Sequence, residues 1–217
     1  MNNEVVVHGL PGSPFMRAVL VALEEKRAPY RIQALTPETL RGEAYRQLHP
    51  FGRVPAIEHD GFHLYETQAI LRYVDATFPE PSLQPRDSRT IGRMNQLIGI
   101  NDWYLFPKVA RVIVFERIVA PFLFGKAPDE NAIAATVPEA RHTIGEIDRL
   151  LGDNEYLAGG ELTLADVHLA PQLYYLERTP EGAAIMKGTA LSAWLARVGE
   201  RASMRATLPP EGLRKAA

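Results

Sequence analysis

The sequence predicts an α/β region followed by an all-helical one, and three observations carry that prediction. The chain opens with a β-branched run, a helix and a second strand. An Asp60-Gly61 dipeptide joins two later strand-like runs, and no strand-like alternation returns beyond about residue 88. The expected division is an N-terminal domain over residues 1–80, a proline-marked linker at about 79–88, and an all-α domain over 88–217.

Val5 to Val7 reads as a buried strand closed by the turn Gly9-Leu10-Pro11-Gly12. Ser13-Pro14 then starts a helix, with Ser as N-cap and Pro at the first helical position. That helix continues through Phe15, Val19, Ala22 and Leu23 and ends near Arg27 to Pro29. Tyr30 to Leu35 is a second strand, and a short polar helix is expected around Thr39 to Leu48. Val54 to His59 and Phe62 to Tyr65 flank the tight turn at Asp60-Gly61. Glu66 to Phe78 has helical spacing. The order β-α-β-α-β-β-α demands one parallel pair and adds an antiparallel hairpin, so a small mixed sheet is expected. Helices are expected near 88–120, 130–151, 163–178 and 190–203, the first kinked or broken at Pro107.

A formal net charge of -2 with both signs interspersed points to no nucleic-acid or anionic-membrane partner. Cysteine is absent, so disulfides, thiolate metal sites and a protein-borne thiol nucleophile are excluded. No apolar run approaches a membrane span, and cytoplasmic residence is the expectation. The histidines show no metal-ligand spacing; His59 and His63 straddle the hairpin turn and read as exposed strand and turn residues.

Three short stretches can carry chemistry. Ser13 stands where a helix offers free N–H groups and partial positive charge, so it is either a plain cap or a proton donor toward an anion. Arg53-Val54-Pro55 opens a strand; a cis proline there would turn the Val54 backbone outward to an extended peptide, whereas a trans proline merely begins the strand. Glu66 and Thr67 either cap their helix or grip the charged end of a ligand.

The strand followed by Ser-Pro-Phe-Met-Arg, then Phe-Gly-Arg-Val-Pro-Ala-Ile, the hairpin, and Leu-Tyr-Glu-Thr-Gln-Ala-Ile resembles the glutathione-binding domain of the cytosolic glutathione transferases. The stretch Tyr156 to Val167 resembles that family's C-terminal capping segment, where Thr163 and Asp166 can form a capping box with Leu162 and Val167 as hydrophobic staple. The resemblance spans nearly the whole chain and implies a thioredoxin-like domain followed by a helical one. It is to a serine-type, theta/phi/zeta-like bacterial member.

What the resemblance implies is a transferase that joins the glutathione thiolate to a hydrophobic electrophilic small molecule, without a metal. Ser13 would donate to the sulfur. Glutathione would lie along Val54 beside a cis-Pro55, its γ-glutamyl end at Glu66 and Thr67, with Arg53 and Arg41 toward its glycyl carboxylate. Leu10, Phe15 and Met16 are expected to floor the electrophile pocket, and Asn101, Tyr104, Lys108 and Arg111 to wall it from one helical face, unless those four are core or dimer contacts. A homodimer is implied, with Phe51 as a contact. Alternatives on the same scaffold are a glutathione-dependent isomerase, dehalogenase or peroxidase, or a non-catalytic binding protein.

Overall fold

The computed structural model describes residues 4–78 and 80–216. Two compact units emerge: residues 1–84 with 202–209, and residues 85–201 with 210–217.

The first unit is built on strands β1 (Val5–Gly9), β2 (Tyr30–Ala34), β3 (Ala56–His59) and β4 (Phe62–Tyr65). Their order is β2-β1-β3-β4, with β1 and β2 parallel and the other pairs antiparallel. This is the mixed sheet expected of the thioredoxin-like arrangement. β1 runs two residues further than Val7, because His8 and Gly9 still pair with Gln33 and Ala34. The hairpin turn has φ of 48° at Asp60 and 79° at Gly61, the two positive values that match the strands' twist.

Helices α1 (Pro14–Glu25) and α4 (Thr67–Thr77) pack on each other and on the sheet. Val5, Val7, Ala18, Val19, Ala22, Leu23, Ile70, Leu71 and Val74 are all fully buried between them. Burial of each such aliphatic side chain contributes about 1.5–3 kcal/mol. In place of one polar helix there are two short ones, α2 (Pro37–Arg41) and α3 (Glu43–Leu48), separated by Gly42 in an extended conformation.

Two polar fastenings explain why this unit reaches residue 84 and takes in 202–209. The buried Lys26 ammonium lies 2.5 Å from Asp75 and donates to the Pro81 carbonyl. Asp75 also accepts from the Leu83 N–H and the Gln84 amide. The buried Arg17 guanidinium donates to the Met204 carbonyl at 3.0 Å, and Ser203 donates to Glu25. The single crossing expected near 79–88 is therefore joined by a returning segment that carries α12 (Ala202–Ala206).

In the second unit the helical run from residue 88 to 124 is unbroken. It comprises α5 (Ser88–Ile100), a π-helical stretch (Asn101–Ala110), α6 (Arg111–Val114), a π-helical turn (Phe115–Val119) and α7 (Ala120–Phe124). Pro107 lies inside the π-helical stretch, where the wider turn absorbs a residue that lacks an N–H, so the expected break is absent. α8 (Glu130–Leu151), α9 (Leu164–Leu176), α10 (Pro180–Met186), α11 (Ala190–Gly199) and α13 (Glu211–Ala216) complete the unit. α9 is buried almost all round, which makes it the central helix. The helix expected over 190–203 is split, with Gly199 closing α11. α10 was not anticipated, although Thr179-Pro180 repeats the Ser13-Pro14 start signal.

Candidate functional site

The sheet register gathers the candidate residues of the first unit at one end. His8 pairs with Ala56, and Ala56 pairs with Tyr65, so these three form one row across β1, β3 and β4. Because β1 and β4 both run antiparallel to β3, that row puts the exit of β1, the entrance of β3 and the exit of β4 side by side. The segments just outside the row are the loop to Ser13, the Val54-Pro55 dipeptide, and Glu66 with Thr67. β2, parallel to β1, sends its exit and the α2 residue Arg41 toward the same end.

Ser13 is the N-cap of α1, half-buried, and its hydroxyl oxygen accepts the Met16 N–H at 3.3 Å. Accepting through a lone pair leaves the hydroxyl proton available to donate. The turn that delivers it is closed by the Ser13 N–H donating to the Leu10 carbonyl at 2.9 Å. The first turn of α1 carries no acidic residue, so the partial positive charge of this helix end is not offset locally.

The β3–β4 ladder begins at Ala56, not at Val54, which leaves Val54 outside the sheet. Proline explains the late start, since it has no N–H to place in a ladder. The Val54–Pro55 peptide is cis, Pro55 is buried and Val54 half-buried. Arg53 and Arg41 are both exposed.

Glu66 is exposed and has φ 70° and ψ 115°, a conformation costing a non-glycine residue about 1–3 kcal/mol. It caps α4 without a side-chain hydrogen bond to that helix, so its carboxylate is not consumed as a cap. Thr67, buried, is the first residue of α4.

Two further residues frame this end of the sheet, and sequence reading missed both. The Tyr45 hydroxyl donates to the Arg53 carbonyl at 2.6 Å, and burial pushes its pKa up to about 12, so it remains a donor. His49 is buried, with its ring centroid 4.8 Å from that of Tyr65 and 6.3 Å from that of Tyr45. Burial lowers its pKa below the usual imidazole value; Glu66 acts the other way and Arg53 in the same direction. The one available signal was a lone aromatic, Tyr45, in an otherwise polar helix.

Other expectations fare differently. Leu10 and Phe15 are half-buried near Ser13, but Met16 is buried and turned against Gly9. A Cβ on Gly9 would come within 2.6 Å of the Met16 sulfur, so the glycine makes that packing possible. Of the four residues expected to share a helical face, Tyr104 and Lys108 remain adjacent, the ammonium 4.7 Å from the ring centroid, and Arg111 is exposed. Asn101 does not join them: it is fully buried and donates to Asp102 at 2.9 Å. The stretch is π-helical, and the three- and four-residue spacing of an α-helical face no longer applies. Phe51 is 70% exposed. His59 is buried, not exposed, and its Nδ1 lies 2.8 Å from the Tyr73 hydroxyl, because β3 turns it toward α4. Among the described residues, no group of three or more His, Asp or Glu side chains could hold a metal, and no helix is long and apolar enough to cross a membrane.

Comparison with known proteins gives the same picture at the level of whole domains. Residues 7–82 match the family model of the glutathione S-transferase N-terminal domain, and residues 130–197 match that of the C-terminal domain. The chain is 29% identical over 210 residues to glutathione S-transferase F7 of Arabidopsis thaliana, covering 94% of this chain and 99% of the relative. It is 30% identical over 158 residues to glutathione S-transferase hmp2 of Hypomyces subiculosus, covering 70% and 74%. The crystal structure of glutathione transferase F7 from Populus trichocarpa superimposes with a TM-score of 0.85 at 26% identity, covering 96% of this chain and 99% of that one.

Proposed function

The chain belongs to the glutathione S-transferase family of transferases, and on that premise we propose that it is a serine-type member joining the thiolate of glutathione to small electrophiles. Glutathione lies extended along Val54. Its γ-glutamyl ammonium meets Glu66, its γ-glutamyl carboxylate meets Thr67 and the N–H groups opening α4, and Arg53 and Arg41 serve the glycyl carboxylate. The observation that carries this reading is the convergence, at one end of one sheet, of an available hydroxyl, a residue just outside the strand entrance beside a cis proline, and a strained acidic helix mouth.

Ser13 acts as a donor and not as the attacking group. A free thiol has a pKa of about 8.5 and is mostly protonated at neutral pH. A hydrogen bond to a charged group contributes roughly 1.5–3 kcal/mol, and each pKa unit corresponds to about 1.36 kcal/mol. The Ser13 hydroxyl and the mouth of α1 together can lower the thiol by about one to two units. The thiol proton passes to solvent, and the sulfur anion then attacks the electrophile. It displaces halide from an aryl halide, or opens an epoxide or adds to an enone whose product takes a proton back from solvent. The step needs no general base from the protein. Leu10 and Phe15, half-buried close to the hydroxyl, favour an apolar electrophile.

Isothermal titration with glutathione tests the ligand, and turnover of a panel of aryl halides, epoxides, enones and hydroperoxides tests the chemistry. Saturable binding with conjugation of at least one panel member is expected. No detectable binding at millimolar glutathione would end the reading, and reduction of hydroperoxides alone would replace conjugation by peroxide chemistry on the same sulfur.

A further inference from the structure

We propose that Tyr45 is a positioning residue for glutathione: its hydroxyl pins the Arg53 carbonyl and thereby sets the direction of the Val54 N–H that meets the ligand's cysteinyl residue. This rests on the glutathione reading above and gives a role to a side chain that the binding scheme does not use.

The chain between α3 and β3 is held at intervals. The His49 N–H donates to the Tyr45 carbonyl at 2.8 Å. The Gly52 N–H donates to the His49 carbonyl at 2.8 Å, which closes a turn with Gly52 at φ 59°. The sheet ladder resumes at Ala56. Between these fixed points the Tyr45 hydroxyl donates to the Arg53 carbonyl at 2.6 Å, well within the range of a sound O–H···O bond.

The make-up of α3 shows why a phenol matters here. The helix is Glu-Ala-Tyr-Arg-Gln-Leu, and Tyr45 is the side chain that it buries, 4% exposed. A phenylalanine would fill the same space, its ring against that of His49 at 6.3 Å between centroids. The added hydroxyl is a buried polar group, and such a group costs stability unless it is paired. The bond to Arg53 offsets that cost. Burial also pushes the Tyr45 pKa up to about 12, so the hydroxyl stays a donor through the neutral range.

The bond acts on more than the oxygen it reaches. The Arg53–Val54 peptide is trans, and a peptide unit is planar, with its C=O and N–H on opposite edges. Turning the Arg53 carbonyl toward Tyr45 therefore turns the Val54 N–H away from α3. Val54 stands half-buried outside the ladder, and in the proposed scheme glutathione lies extended along it. A loop already held in its binding geometry loses less freedom when the ligand arrives, and the difference is read as affinity. Ser13 comes from a separate segment, the mouth of α1, so the charge on sulfur does not depend on this latch.

Calorimetric titration with glutathione tests the proposal on the wild type, Tyr45→Phe and Tyr45→Leu, with the thermal midpoint measured for each. Both variants should bind about three- to tenfold more weakly, the effect of one lost hydrogen bond, with the pKa of bound thiol unchanged. Only Tyr45→Leu, which also loses the ring, should lose much thermal stability. In both variants the Val54 amide should exchange faster with solvent in the unliganded protein. Because the pinned carbonyl belongs to the backbone, Arg53→Ala leaves the latch intact, and Tyr45→Phe should cost the same factor in that background. Wild-type affinity in Tyr45→Phe, with weakening confined to Tyr45→Leu, would make the ring a packing residue and overturn the proposal. A factor that vanishes beside Arg53→Ala would overturn it as well, since the effect would then pass through the guanidinium. An unchanged Val54 exchange rate or a shifted thiol pKa would contradict the route through the Val54 peptide. Absence of glutathione binding by the wild type strikes at the reading beneath the proposal and takes the proposal with it.

Discussion

Ser13 is the N-cap of α1 and Thr67 the first residue of α4, so both stand at a helix start, yet the proposed scheme gives them different work. Ser13 has a cap bond at a long 3.3 Å and a hydroxyl proton to spare, so its contribution is to the charge on sulfur. Thr67 is buried beside the strained Glu66, so its contribution is to holding the ligand's end. Ser13→Ala should raise the pKa of bound thiol by about one to two units and cut turnover at neutral pH by about ten- to a hundredfold, leaving glutathione binding within a few-fold. Thr67→Ala should weaken binding by about tenfold and change the thiol pKa little. Thiolate absorbance against pH, paired with calorimetric affinity, separates the two; indistinguishable behaviour would remove the division of roles. Glu66 adds a conformational element to the same site, since its positive φ is visible only in the folded backbone.

At the scale of the element, the start of α9 shows how a local sequence motif becomes a tertiary anchor. Thr163 and Asp166 form the expected capping box, but the carboxylate does more than cap. Asp166 accepts from the Leu157 N–H, the Thr163 N–H and hydroxyl, and the Trp194 indole N–H, all within 2.9 Å. Burial pushes its pKa up, and those four donors pull the other way. Since every partner is a donor, the ionised carboxylate is the form that satisfies them, and an amide would turn its NH2 toward other donors. Asp166→Ala is expected to cost about 3–5 kcal/mol, and Asp166→Asn a large part of that, read as a lowered thermal midpoint. A loss within about 0.5 kcal/mol for both would show that the network carries no stability. The π-helical stretch makes the complementary point. Pro107 signalled a kink or a break, and the helix is widened there and runs on.

At the scale of the whole molecule, side-chain hydrogen bonds account for where the bounds of the two compact units fall. The N-terminal unit extends to residue 84 because Asp75 and Lys26 grip residues 81–84, and it takes in 202–209 because Arg17 and Glu25 find partners there. Phe51 stands 70% exposed on the first unit, with its ring edge against Tyr65 at 6.2 Å. An aromatic ring presented in this way suits a pocket on a second copy of the chain, and we propose a homodimer in which Phe51 makes that contact. Sedimentation at micromolar concentration should report a dimer for the wild type and a shift toward monomer for Phe51→Asp. A wild-type monomer would dispose of the assembly, and a dimer unmoved by the substitution would dispose of the contact.

By itself the sequence determined what depends on local chemistry. Turn dipeptides, caps and hydrophobic spacing act over a few residues, so the strand order, the Asp60-Gly61 hairpin, the starts at Ser13-Pro14 and Thr163, and the helical character beyond residue 88 were legible. Tertiary structure alone decided what depends on neighbours distant in the chain. The row joining His8, Ala56 and Tyr65 comes from ladder pairing, the burial of His49, His59, Met16 and Asn101 from which face packs inward, and the hold of Tyr45 on Arg53 from a contact between loop and helix. Side-chain burial and long-range hydrogen bonds are properties of the packed chain, and residue type and spacing do not encode them one position at a time.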